Sequence, residues 1–173
     1  MKALRRFAIT ALVLAAATGG AGMAGLRVNT THSVPSGFYW LTDRPVTAGA
    51  TVLVCPPQLP VIAEAFHRGY LGAGFCPGGY EHLFKTVLAA KNDVISIDAA
   101  GVSVNGSRVP NTAQVSADPA GRPLPDYRVT TMRLSDDDVL LIANNSPKSF
   151  DARYFGPVDR SHIRGVVTPL LTW

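Results

Sequence analysis

Three residues of this chain are of types that do chemistry together. Ser33 lies in Asn29-Thr-Thr-His-Ser-Val-Pro-Ser-Gly-Phe-Tyr39, Lys85 in Phe84-Lys-Thr-Val-Leu-Ala-Ala90, and Asp151 opens Asp151-Ala-Arg-Tyr-Phe-Gly-Pro157. A serine hydroxyl attacks a carbonyl poorly until a base takes its proton. A lysine can be that base when burial lowers its pKa from about 10.4 towards neutrality, because a dry site disfavours the ammonium. Such a pair needs neither histidine nor metal. Lys85 is embedded in the apolar run Leu83-Phe-Lys-Thr-Val-Leu88, whereas Lys91 and Lys148 have polar, turn-like surroundings. Local pattern leaves two readings of Lys85 open: a buried base, or an outward-facing lysine on a half-exposed strand. His32 is next to Ser33, but neighbours on extended chain point to opposite faces, so it is expected to face away. His67, His82 and His162 have no recognisable triad context.

The elements that must position these residues read mostly as β. Gly37–Leu41, Thr51–Val54, Leu83–Ala90, Val94–Ile97, Arg128–Met132, Val139–Ala143 and Ile163–Val167 are short apolar runs between turn signals. Val102–Val109 is a hairpin with Asn105-Gly106 in the tight turn. Leu59–Tyr70 carries apolar residues at Val61, Ile62, Ala65 and Phe66, the spacing of one helix. Asn111–Asp126 is rich in proline and glycine and reads as an exposed connection. Many short strands with one helix predict a mainly β domain, a folded antiparallel sheet or barrel.

Lys2, Arg5 and Arg6 precede an uncharged stretch from Phe7 to Leu26. As a helix, this stretch would be about 30 Å long, enough to cross a hydrocarbon core. The cations should stay cytoplasmic, which puts residues 27–173 outside. Residues 1–26 are therefore expected to be a membrane anchor, with a cleaved secretory signal as the alternative. The net charge of +4 gives no hint of nucleic acid. Of the 16 basic residues three fall in the first six positions, and the other 13 nearly balance 12 acids. No basic patch with interleaved aromatics follows.

Cys55 and Cys76 suit an oxidising compartment, where the pair can form a structural disulfide; two buried free thiols are the alternative. His67 and His82 lie near the same cysteines, but the spacings match no compact zinc ligand pair.

The blocks around Ser33, Lys85 and Asp151, taken in order, resemble the type I signal peptidase family (S26), in its branch of conjugative-transfer peptidases, TraF. Ser33-Val-Pro35-Ser-Gly37-Phe-Tyr39 is similar to the nucleophile box, with one residue between serine and proline as in that branch. Phe84-Lys85 through Asp93 resembles the base-bearing strand, with Lys91-Asn92 where Pro-Gly is usual. Val104-Asn-Gly106 matches the next landmark. Leu141 through Gly156 resembles the closing block, with Ala143-Asn144 where Gly-Asp is common.

The resemblance implies a signal-peptidase-like fold, Ser33 as nucleophile, Lys85 as general base and no cofactor. It implies that Asp151 organises the site by pairing with Arg153, a scaffold ion pair being the plainer reading. Ser149 matches a serine that hydrogen-bonds the lysine. Thr31 falls where the family has an oxyanion-hole hydroxyl, an effect worth about 3 kcal/mol per donor, an ordinary strand threonine being the alternative. Val34, Phe38 and Tyr39 would line shallow pockets, touch lipid or belong to the core. The expected substrate is a preprotein with small residues before the cut, commonly Ala-x-Ala, and in the TraF branch a pilin precursor whose release can be coupled to head-to-tail cyclisation. The expected place is the bacterial inner membrane, against lipid, with the peptidase domain on the periplasmic side. Two readings compete: a self-cleaving regulator, against which the apolar start argues, and a catalytically inactive β-rich adaptor of a conjugation or secretion apparatus.

Overall fold

A computed structural model of the protein describes residues 6, 7, 9, 10, 20, 22, 24–143, 146 and 148–173. Most of the expected anchor, residues 1–26, lies outside these. Among the described residues no helix is long and apolar enough to cross a membrane. Leu26, at the expected end of the anchor, is instead the first residue of a strand.

Among the described residues, eleven strands form two antiparallel sheets. The larger runs, in spatial order, β1 (Leu26–Asn29), β2 (Gly37–Thr42), β11 (Ile163–Thr172), β3 (Thr51–Val54), β4 (Leu83–Ala89), β9 (Asp138–Ile142) and β10 (Val158–Asp159). The smaller runs β7 (Ser107–Arg108), β6 (Gly101–Val104), β5 (Val94–Asp98) and β8 (Val129–Arg133). The β6–β7 hairpin turns through Asn105 and Gly106, at φ 51° and 80°, the left-handed pair that a two-residue turn requires. α1 (Pro60–His67) is the expected helix, starting on a proline whose missing N–H costs nothing there. A second helix, the single turn α2 (Ala152–Phe155), was not legible as one because four residues carry no period.

β4 lies between β3 and β9, with Val52 opposite Lys85 and Leu141 opposite Val87. An interior strand with packing on both faces reads as a continuous apolar run. That is why Phe84 through Val87 are all buried, the lysine among them. Val52, Val54, Val87, Val139 and Leu141 fill one core cluster. Val34, Tyr39, Leu53, Phe84 and Val167 fill another, directly under the chain that carries Ser33. Val34 and Tyr39 are thus core, and Phe38 is exposed.

β11 runs five residues past the expected strand, through Pro169, tolerated where the register with β2 shifts between Pro169 and Leu171. Gly37, the first residue of β2, has φ +157°, and a Cβ there would strike the Leu171 carbonyl oxygen. A glycine is therefore required where the segment carrying Ser33 joins the sheet. Cys55 and Cys76 are bonded to each other, closing the loop that contains α1. The connection 111–126 differs from its expectation: Thr112 and Asp118 are buried in it, because their side chains pair with the chain around them.

Candidate active site

The segment 31–36 is a series of bends between β1 and β2, and it puts Ser33 over the end of the Lys85 side chain. Lys85 is 3% exposed. Its Nζ lies 3.2 Å from Ser33 Oγ, 3.0 Å from Ser149 Oγ and 3.1 Å from the Phe150 carbonyl oxygen. The Ser33 and Ser149 hydroxyls are 3.3 Å apart. A neutral amine has two N–H donors and one lone pair. The Phe150 carbonyl can only accept, so one N–H goes there. Donating the other to Ser149 leaves the lone pair facing Ser33, which is the arrangement of a base beside a nucleophile. Burial pushes the Lys85 amine down to about 8; the Asp151 charge pulls it back up, and Arg153 pushes further down.

Asp151 touches neither Lys85 nor Ser33. It caps α2 and is fully buried, accepting from the Arg153 backbone N–H, Nε and Nη2 and from the Ala143 backbone N–H at 2.9 Å. Arg153, 1% exposed, also donates to the Ser149 carbonyl at 3.0 Å. The ion pair thereby ties the end of β9 to the chain that brings Ser149 and Phe150 to the lysine.

Thr31 and His32 flank the nucleophile segment in different ways. The Thr31 hydroxyl donates to Asn29 Oδ1 at 2.8 Å, so in this state its one proton is engaged. Among the described residues nothing accepts a hydrogen bond from the Ser33 backbone N–H. His32 and Ser33 both border one cavity, on a segment where bends replace the extended chain on which alternation rests. The one group of metal-ligand types found among the described residues is Cys55, Cys76 and His82, and there the two sulfurs are bonded to each other.

A model of the signal peptidase family, peptidase S26, matches residues 1–172 of this sequence. The chain belongs to that family. Curated relatives of this S26 protein include the plasmid transfer protein TraF of Escherichia coli, 52% identical over 95% of this chain and 91% of that one. The probable conjugal transfer protein TraF of Sinorhizobium fredii is 35% identical, covering 88% of this chain and 80% of its own. For the conjugal transfer protein TraF of Agrobacterium fabrum the values are 33%, 98% and 96%. The crystal structure of a signal peptidase I from Enterococcus faecalis V583 aligns at TM-score 0.41 and 13% identity, over 73% of this chain and 100% of that one.

Asn29 is a site residue that sequence reasoning missed. It is 1% exposed, and its Nδ2 is within hydrogen-bond distance of the carbonyls of Thr31, Val34 and Pro35 at 3.1, 3.0 and 3.1 Å. Its Oδ1 accepts from both the backbone N–H and the hydroxyl of Thr31. One buried amide thus organises the bends that hold Ser33. The signal was there in outline, since asparagine favours side-chain to backbone bonds within a turn. Asn29→Asp keeps the shape but turns an oxygen towards those carbonyls. It is expected to cost about 2 kcal/mol or more of stability and to slow labelling of Ser33 by an acylating probe. Thermal unfolding and labelling rates check both.

Proposed function

We propose that this S26 protein is a serine endopeptidase of the signal peptidase type, cleaving an exported preprotein through an acyl-enzyme on Ser33 with Lys85 as general base. The substrate on this reading is a pilin precursor of a conjugation system. The observation that carries it is the 3.2 Å contact between a buried amine and a serine hydroxyl.

Ser33 Oγ attacks the scissile carbonyl while Lys85 Nζ takes its proton. The Ser33 N–H and the Thr31 hydroxyl, turned away from Asn29, receive the oxyanion. The C–N bond breaks, Lys85 returns the proton to the leaving amine, and the ester on Ser33 remains. Water then gives a proton to Lys85 and its oxygen to the acyl carbon, and the proton passes back to Ser33 Oγ. An amine in place of water would form a new amide, which is the step ring closure requires. Asp151 and Arg153 act as positioning residues through the Ser149 carbonyl and the end of β9.

Names of the relatives support a conjugation setting. A membrane setting is supported by an apolar face on β2 and the end of β11, where Phe38, Trp40, Leu170, Leu171 and Trp173 are 38%, 37%, 58%, 62% and 69% exposed. A patch of this kind fits a lipid surface. With the cations at the start of the chain, it favours a domain lying against the outer side of the inner membrane.

The test uses the purified full chain in detergent micelles with a synthetic precursor, quenched in acid and analysed by intact mass. The native chain is expected to carry an adduct equal to the acyl fragment, located on Ser33, and the Ser33→Ala variant none. Processing by Ser33→Ala at the native rate would refute the proposal. In the product, a mass lower by one water than the cleaved fragment indicates ring closure.

A further inference from the structure

Val34 plugs the nucleophile segment into the core, while Ser33 opens on its other side onto a cavity of about 440 Å3. Its walls come from three places: Tyr70 beyond α1, Val115 and Leu124 in the connection between β7 and β8, and Phe150 and Tyr154 around α2. A space in the size range of ligand sites is far more than a small residue at the cut would fill.

The walls are braced against collapse. The Tyr70 hydroxyl donates to Asp118 Oδ2 at 2.5 Å, and Arg122 Nε donates to the same oxygen at 2.6 Å. The Arg122 guanidinium also lies 5.5 Å over the Tyr70 ring. The Phe150 and Tyr154 rings stack at 5.5 Å with 3° between their planes, and the Tyr154 hydroxyl accepts from the Val115 N–H at 3.1 Å. Backbone N–H groups of Ala120 and Arg122 occupy the other Asp118 oxygen, so this carboxylate belongs to the wall. His32 and Lys148 are exposed residues at the lining. What the interior presents to a guest is chiefly aromatic and aliphatic surface.

We propose that this cavity is a subsite for a large apolar or aromatic side chain of the peptide, seated beside the scissile bond. The inference rests on Ser33 being the nucleophile, since only then does the peptide lie across the cavity. The segment that supplies the Phe150 ring also supplies the carbonyl and the Ser149 hydroxyl that accept from Lys85. A guest pressing on that ring bears on the base. Filling the subsite therefore raises kcat as well as binding, as remote contacts realised in the transition state do.

The experiment scans synthetic peptides around an Ala-x-Ala cut, changing each position on both sides in turn from Ala to Leu, Phe or Asp. At one position Leu or Phe is expected to raise kcat/KM about 10- to 100-fold over Ala, with no such gain from Asp. Val115→Trp, which fills the cavity from an exposed position, should shrink the Phe-over-Ala ratio at that position about tenfold. Leu124→Ala, which enlarges it, should move the optimum to Trp, and it decides the matter should the first variant not fold. A flat scan, or one unchanged ratio in both variants, overturns the subsite. Cleavage surviving Ser33→Ala would instead overturn the reading of the site, a separate outcome in the same assay.

Discussion

Lys85→Met is expected to lower kcat by about four orders of magnitude or more, the scale on which acyl-transfer enzymes lose activity when a base is removed. Lys85→Arg should do the same, since a guanidinium does not give up its proton. Native turnover in either variant contradicts the mechanism. In the native chain the rate should rise with pH through about 8, where the buried amine sheds its proton, and fall about tenfold per pH unit below it. Stability follows from the same shift. Between about pH 8 and the ordinary lysine value of 10.5, the unfolded chain binds a proton at this position that the folded chain does not. Stability therefore rises with pH across that window and loses this contribution below it. Relative to Lys85→Met, native stability should grow by about 3 kcal/mol over those pH values and stay flat below them. Denaturant unfolding of both proteins from pH 7 to 11 reads this directly; a difference that does not change means the amine is solvated.

Asp151→Ala should be among the most destabilising substitutions available. It leaves a guanidinium that is 1% exposed without its carboxylate, and takes away the acceptor of the Ala143 N–H. Breaking a buried pair from one side costs about 3–5 kcal/mol. Asp151→Asn keeps the shape and separates charge from packing. Removing the negative charge should move the acid limb of the rate profile to lower pH, because that charge favours the Lys85 ammonium. Arg153→Met should move it to higher pH, and the double variant should fall between the two. A solely structural pair would lower kcat and leave all three profiles at one pH. Rates measured against pH, alongside thermal unfolding, distinguish the cases.

Much of this was legible because it is local. The hairpin at Asn105-Gly106 needs two left-handed residues and names them, and β3 and β4 are apolar runs with clear ends. The helix α1 has its period and its initial proline. β1, β10 and α2 were not legible: they have four, two and four residues and, unlike β3, no apolar run to mark them. The blocks around Ser33, Lys85 and Ser149 could be read locally, but that their atoms converge was implied only by the family resemblance, since it depends on contacts 52 and 64 residues apart. The expectation for His32 rested on alternation, which a segment that bends does not follow. Asn29 was overlooked because most of its partners are backbone groups, which look the same in every sequence. The cavity beside Ser33 was illegible for the related reason that its walls come from three separate stretches.

The bond between Cys55 and Cys76 makes the laboratory environment part of this molecule's chemistry. Its sulfurs sit among Ile62, Ala65, Leu71 and Tyr80, the cluster against which Phe150 leans, and Phe150 is a hydrogen-bond partner of Lys85. Thiol reductants added during purification would untie a cross-link of about 3 kcal/mol and soften the ground beneath the amine. A preparation made that way could look inert for reasons unrelated to its serine.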